Sequence, residues 1–121
     1  MTEGLLVALG VAVAGGLGSM LRLVVDTAAS RWLPRGFGAA IVLVNVTGSF
    51  ALGVAAGLLD PGPALDVVGT GLLGGYTTFS TAAVDGARLA LRGRGGRAVA
   101  HAVGTAVVCV AAATTGLVLT R

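Results

Sequence analysis

Charged residues divide this 121-residue chain into four long uncharged runs, 4–21, 36–59, 67–84 and 98–120. Each is 18 to 24 residues long, and a helix needs about 20 apolar residues to cross a bilayer core. Composition points the same way. Hydrophobic residues make up 55% of the chain and charged residues 11%, and mean hydropathy is +0.96; soluble domains carry about 25% charge. Twenty-one glycines would weaken a soluble helical protein, but small residues let membrane helices approach closely. The length permits one domain, 1–121.

Proline and glycine clusters, where helices stop, separate the runs. They are Trp32-Leu33-Pro34-Arg35-Gly36, Asp60-Pro61-Gly62-Pro63 and Arg92-Gly93-Arg94-Gly95-Gly96-Arg97. Such short connections force neighbouring helices to run antiparallel. The expected fold is an all-α membrane protein with four transmembrane helices per subunit, over roughly 4–29, 36–59, 65–91 and 98–120. The first and third helices are expected to outrun their apolar stretches into 24–30 and 86–91. The amino terminus, Met1-Thr2-Glu3, is acidic where a secretory signal is basic, so the first span is expected to be retained.

The basic residues are all arginine, and they are unevenly placed. The first connection region holds Arg31 and Arg35; the third holds Arg88, Arg92, Arg94 and Arg97. The opposite side has Arg121 alone, with Arg22 counted as intramembrane. The positive-inside rule then places the first and third connections in the cytoplasm and both termini outside, in a multi-pass protein of the cell membrane. On a chain this apolar, binding to nucleic acid is not expected.

Polarity inside the apolar runs is costly and marks function. Gly74-Gly75-Tyr76-Thr77-Thr78-Phe79-Ser80-Thr81 is a poor place to continue a helix, because glycine and hydroxyl residues weaken it. Within lipid, irregular backbone is tolerated only where protein buries it or it lines a polar cavity. A third helix broken at mid-membrane exposes carbonyls and amides that bind ions. In the second run, Asn45, Ser49, Gly53 and Gly57 fall on one helix face. The glycine end suggests a close helix contact. The Asn45 end reads equally as a polar lining or as a hydrogen bond to a neighbouring helix. Arg22 and Asp26 are one turn apart, where a surface ion pair would also place them. Cys109, the lone cysteine, is expected to be a small buried hydrophobe, and His101 an interfacial or packed side chain rather than a metal ligand. No phosphate-binding loop, zinc spacing or nucleophile–histidine pattern is present, and no enzymatic activity is expected.

Three motifs occur in order: Gly15-Gly16-Leu17-Gly18-Ser19-Met20-Leu21-Arg22, Val44-Asn45-Val46-Thr47-Gly48-Ser49-Phe50, and the Gly74 to Thr81 segment. Together they resemble the Fluc (CrcB) family of fluoride channels. The resemblance implies an antiparallel, dual-topology dimer with two fluoride pores along the subunit interface and a structural sodium ion (Na+) at its centre. It implies that backbone carbonyls of Gly74 and Thr77 hold the sodium. Asn45, Phe79, Ser80 and Thr81 would line the fluoride pore. Arg22, Asp85, Thr105, Thr114 and Thr115 would give further support. Fluoride is strongly hydrated, so its water must be replaced by donors such as the Asn45 amide and hydroxyl groups. The positive edge of the Phe79 ring can also face an anion. Conduction would be passive and would export cytoplasmic fluoride, relieving its toxicity.

The chain departs from the family pattern in two places. Ala82 stands where a second phenylalanine is expected, and Ile41 where a threonine is common. The two missing contacts bear on whether every pore lined by this chain conducts. The arginine bias together with Ala82 favours a partner that is an oppositely oriented paralogue over a second copy of this chain. Other readings are a small four-span multidrug exporter, which lacks its membrane-embedded carboxylate here, and a non-conducting assembly or partner subunit.

Overall fold

The computed structural model describes residues 1–33 and 39–121, with all side chains of the latter except those of residues 79–82, 85 and 86. The described residues form α1 (Thr2–Ser30), α2 (Ala39–Leu58), a composite α3 (63–76), α4 (Phe79–Leu91) and α5 (Gly95–Thr120). Three of these, α1, α2 and α5, are long and apolar enough to cross a membrane. Between Tyr76 and Phe79 the expected third span is interrupted.

Local chemistry accounts for the helix ends. Pro63 opens α3 directly after Gly62; its fixed φ suits the first helical position, and it has no N–H to leave unpaired. The helix therefore begins slightly before the expected boundary. α1 reaches Ser30 and α4 reaches Leu91, each outrunning its apolar stretch as expected. Gly93, at φ 75°, closes α4 in a left-handed turn. Its N–H bonds the Ala90 carbonyl at 3.1 Å, and the Arg94 N–H bonds that of Leu89 at 3.0 Å, the glycine-terminated pattern that caps helix carbonyls. This tight closure lets α5 begin at Gly95, ahead of the expected start. The expected first connection falls largely outside the described residues, as does the start of the second span.

One feature of α3 was not expected from sequence. Residues Asp66–Leu73 are π-helical, between α-helical turns at Pro63–Leu65 and Gly74–Tyr76. The Gly74 N–H bonds back to the carbonyls of Gly69 and Gly71. Such i→i+5 turns are rare and recur at functional sites. Buried Gly71 lets the widened segment lie against α1, and buried Gly69 faces Leu52 on α2.

The helices pack by backbone approach. A Cβ at Gly71 would meet Val11 and Ala14, one at Gly18 the Leu72 carbonyl, and one at Gly75 the Gly15 carbonyl. With Gly10 opposite Val67, register rises together along both helices, so α1 and α3 are parallel. α2 and α5 form a second parallel pair through Gly53 on Ala113 and Gly57 on Thr120. The glycine end of the Asn45 stripe therefore makes the close contact its spacing suggested. α2 crosses α3 in the opposite sense, with Leu52 near Gly69, Gly48 near Tyr76 and Asn45 bonded to Thr78. Lipid gives helices no hydrophobic drive to associate, so close packing of small residues takes that role. Large apolar side chains such as Leu9, Val13 and Leu17 on α1 and Val103, Val107 and Val110 on α5 point outward.

These directions place the start of α2 and the start of α5 at the same end of the bundle. Arg31 therefore shares an end with Arg92, Arg94 and Arg97, and Arg121 sits at the other.

Candidate functional site

The chain leaves the helix at Thr77, which is extended at φ −78° and ψ 157°. Its N–H and its hydroxyl both bond the Leu73 carbonyl, at 2.9 and 3.0 Å, so the last turn of α3 is closed on itself. Thr78 is buried. In a continuing helix its N–H would bond the Gly74 carbonyl. Here it donates to Asn45 Oδ1 at 2.9 Å, and Asn45 Nδ2 donates to the Thr78 carbonyl at 3.1 Å. Both ends of one amide thus serve both backbone groups of one residue.

Two further side chains secure the break. The Thr47 hydroxyl donates to the Leu43 carbonyl at 2.8 Å, which leaves its oxygen to accept from the buried Tyr76 hydroxyl at 3.0 Å. From α1, the Ser19 hydroxyl donates to the Gly75 carbonyl at 3.3 Å. The break is therefore held by α1 and α2 together.

Beside it lies a cavity of about 690 Å³ between α2, α3 and α5. Asn45 and Ser49 line it from α2, Gly74, Thr77 and Thr78 from the break, and His101, Thr105 and Cys109 from α5. The last three are spaced by four and share one helix face. The structure thus brings together Asn45, Gly74, Thr77 and Thr105 among the expected site residues. Ile41 is on the same wall, where the resemblance called for a hydroxyl. Cys109 is half-buried along the cavity rather than enclosed in a core, because α5 presents that face to open space. His101 is half-buried on the same wall.

Other expected residues lie elsewhere. Thr114 and Thr115 are exposed and off the cavity wall, with hydroxyls bonded to the Val110 and Ala111 carbonyls at 2.8 and 2.7 Å. A hydroxyl on an exposed helix face finds its acceptor on its own helix one turn back. Arg22 is half-buried on α1 and does not line the cavity. Phe79, Ser80, Thr81 and Asp85 belong to α4, but their side chains lie outside the described ones, as does that of Ala82. Sequence reasoning missed Ser19, Thr47 and Thr78 as holders of the break. All three lie inside the quoted motifs, but nothing in spacing pairs them with their partners.

The donor set bears on which ions the site can take. Among the described residues no group of three His, Cys, Asp or Glu could hold a metal ion. Hard oxygen from backbone carbonyls is what the break offers, and that suits an alkali or alkaline-earth cation.

Comparison with known proteins follows the same lines. Residues 9–117 match the family described as CrcB-like protein, Camphor Resistance (CrcB). A fluoride-specific ion channel, FluC 1 of Leifsonia xyli subsp. xyli, is 42% identical over 116 residues, covering 93% of this chain and 85% of the relative. The fluoride-specific ion channel FluC of Rhodospirillum centenum is 41% identical over 118 residues, covering 93% and 94%. FluC 2 of Mycobacterium bovis, also named a fluoride-specific ion channel, is 42% identical over 108 residues, covering 89% and 86%. These matches set aside the multidrug-exporter reading. From residue 9 to residue 117, through every motif that holds the break, this chain belongs to the CrcB-like family, as a multi-pass membrane protein and not an enzyme.

Proposed function

We propose that the chain is a subunit of a passive, fluoride-selective channel that lets cytoplasmic fluoride leave the cell. The observation that carries this reading is the interrupted third span. It puts irregular backbone, an asparagine and hydroxyl groups on one cavity wall inside an otherwise apolar bundle. The relatives' names supply the ion. In this reading α3 and α4 together make a fourth membrane crossing.

Each group has a physical task. The Asn45 amide has two N–H groups; one goes to Thr78, and the other would donate to fluoride. Ser80, Thr81 and Thr105 would add rotatable hydroxyl donors. Phe79 would meet the anion with the positive edge of its ring. Arg22 and Asp85 would support the pore from its flanks. The carbonyls of Gly74 and Thr77 would hold a structural sodium ion, whose charge raises the potential along an anion path in a low-dielectric setting. The donor chemistry fits: the Thr78 N–H that would cover the Gly74 carbonyl is engaged elsewhere. No energy source is needed, since an inside-negative membrane favours anion exit by about 2.3 kcal/mol per 100 mV.

The cavity opens on one side of the subunit, and an antiparallel second subunit would complete it. Arginines gathered at one bundle end favour a single insertion direction, so the partner would be a paralogue of reverse bias. Ile41 on the cavity wall and Ala82 agree with pores that need a second sequence to be complete. The test is expression in cells stripped of fluoride export, with and without a paralogue. Restored growth in fluoride is expected; unchanged sensitivity in both arrangements would overturn the reading.

A further inference from the structure

A helix interruption in a membrane closes up unless something occupies the groups it frees, since unpaired backbone is expensive there. At this break the cheapest closure is one hydrogen bond, from the Thr78 N–H to the Gly74 carbonyl one turn back. Asn45 stands in its way. Its Oδ1 takes the Thr78 N–H at 2.9 Å and its Nδ2 covers the Thr78 carbonyl at 3.1 Å, so both groups are satisfied without helix. We propose that Asn45 is a positioning residue for the cation cage: by holding the Thr78 N–H, it keeps the Gly74 carbonyl bare for sodium. The inference rests on the sodium reading given above, and assigns to α2 control over a site built from α3.

The surroundings are arranged for this task. Asparagine is suited to it because one planar group carries both an acceptor and a donor. α2 comes near enough for Asn45 to reach Thr78 because Gly48, one turn along, has no side chain; a Cβ there would stand 3.0 Å from the Tyr76 ring. Val44, the neighbour of Asn45, is fully buried and fixes the rotation of α2. The Thr47–Tyr76 bond pins the other side of the break. Thr77, extended at ψ 157°, turns its own carbonyl away from the helix axis. Acting together, these contacts leave a carbonyl pair available to a cation, and Asn45 holds the amide that would refill one of them.

The experiment measures thermal unfolding of the purified full-length protein in sodium chloride and in N-methyl-D-glucamine chloride of equal ionic strength. A ligand that binds only the folded form raises its melting temperature, so wild type should melt higher in sodium. Asn45→Ala releases the Thr78 N–H to Gly74 and should lose most of that sodium increment. Asn45→Asp keeps an oxygen for the Thr78 N–H and should retain it, although anion flux falls. A full increment in Asn45→Ala would overturn the proposal. Should Asn45→Ala not fold in either salt, Asn45→Asp decides: a retained increment supports the proposal and a lost one overturns it. No increment in wild type would overturn both the cage and this inference. Fluoride efflux by the same preparation would still judge the channel reading separately.

Discussion

At the scale of residues, the site turns on how few polar groups are left to chance. Asn45, Thr47, Ser19 and Thr77 each bond a group at the break or in the turn before it. Removing one partner of such a buried bond leaves the other unsatisfied, at about 1–3 kcal/mol. Tyr76→Phe should therefore lower the unfolding midpoint by an amount in that range, with Thr47→Val giving no large additional loss in the double variant. Additive losses would show that the two hydroxyls act apart. In flux measurements Phe79→Ile, which keeps bulk but removes the polarised ring edge, should suppress fluoride transport in protein that still assembles. Cys109 lines the cavity, so a charged methanethiosulfonate reagent should reduce flux in wild type and leave Cys109→Ser unaffected; equal inhibition of both would place the reaction elsewhere. Asn45 was legible in the sequence as a polar group in an apolar run, because burying an amide needs a reason. Its partner was not legible. The two residues are 33 positions apart, and only the packing of α2 across α3 sets which backbone atoms Asn45 reaches.

Helices in this subunit meet through glycine, and the contacts differ enough to test. A side chain at Gly75 would enter the Gly15 backbone and one at Gly53 the Ala113 backbone, whereas a Cβ at Gly16 meets nothing within 4 Å. Gly75→Val and Gly53→Val should each destabilise the subunit by about 1–3 kcal/mol through overpacking. Gly16→Ala should be neutral or better, since alanine gains about 1 kcal/mol over glycine in a helix. Equal melting temperatures across the three variants would contradict the packing described. Four apolar runs and their Pro-Gly connections were legible because length, breakers and charge are properties of local sequence. The π-helical segment was not. Asp66-Val67-Val68-Gly69-Thr70-Gly71-Leu72-Leu73 has no periodicity that separates i→i+5 from i→i+4 bonding, and the wider turn is settled by how Gly69 and Gly71 fit against Leu52 and α1.

For the whole molecule, two parallel pairs crossed in opposite senses put the arginine-rich connections at one end. Reporters fused to the carboxyl terminus should therefore signal from outside the cytoplasm; comparable signal from both sides would make a dual-topology homodimer the better account. The gathering of arginines at one end was legible because it depends on counting them between breakers. Partner identity was not, since no local pattern in one sequence encodes the surface that a second chain would present. Selective fluoride conduction remains the central claim, and efflux from liposomes tests it most directly. Vesicles loaded with fluoride or chloride, carrying the purified chain alone or with an oppositely inserting paralogue, would be followed by ion-selective electrodes. The account predicts rapid fluoride release and little chloride release, with fluoride release lost in Asn45→Asp. Chloride leaving as fast as fluoride, or no fluoride release from either preparation, would contradict it.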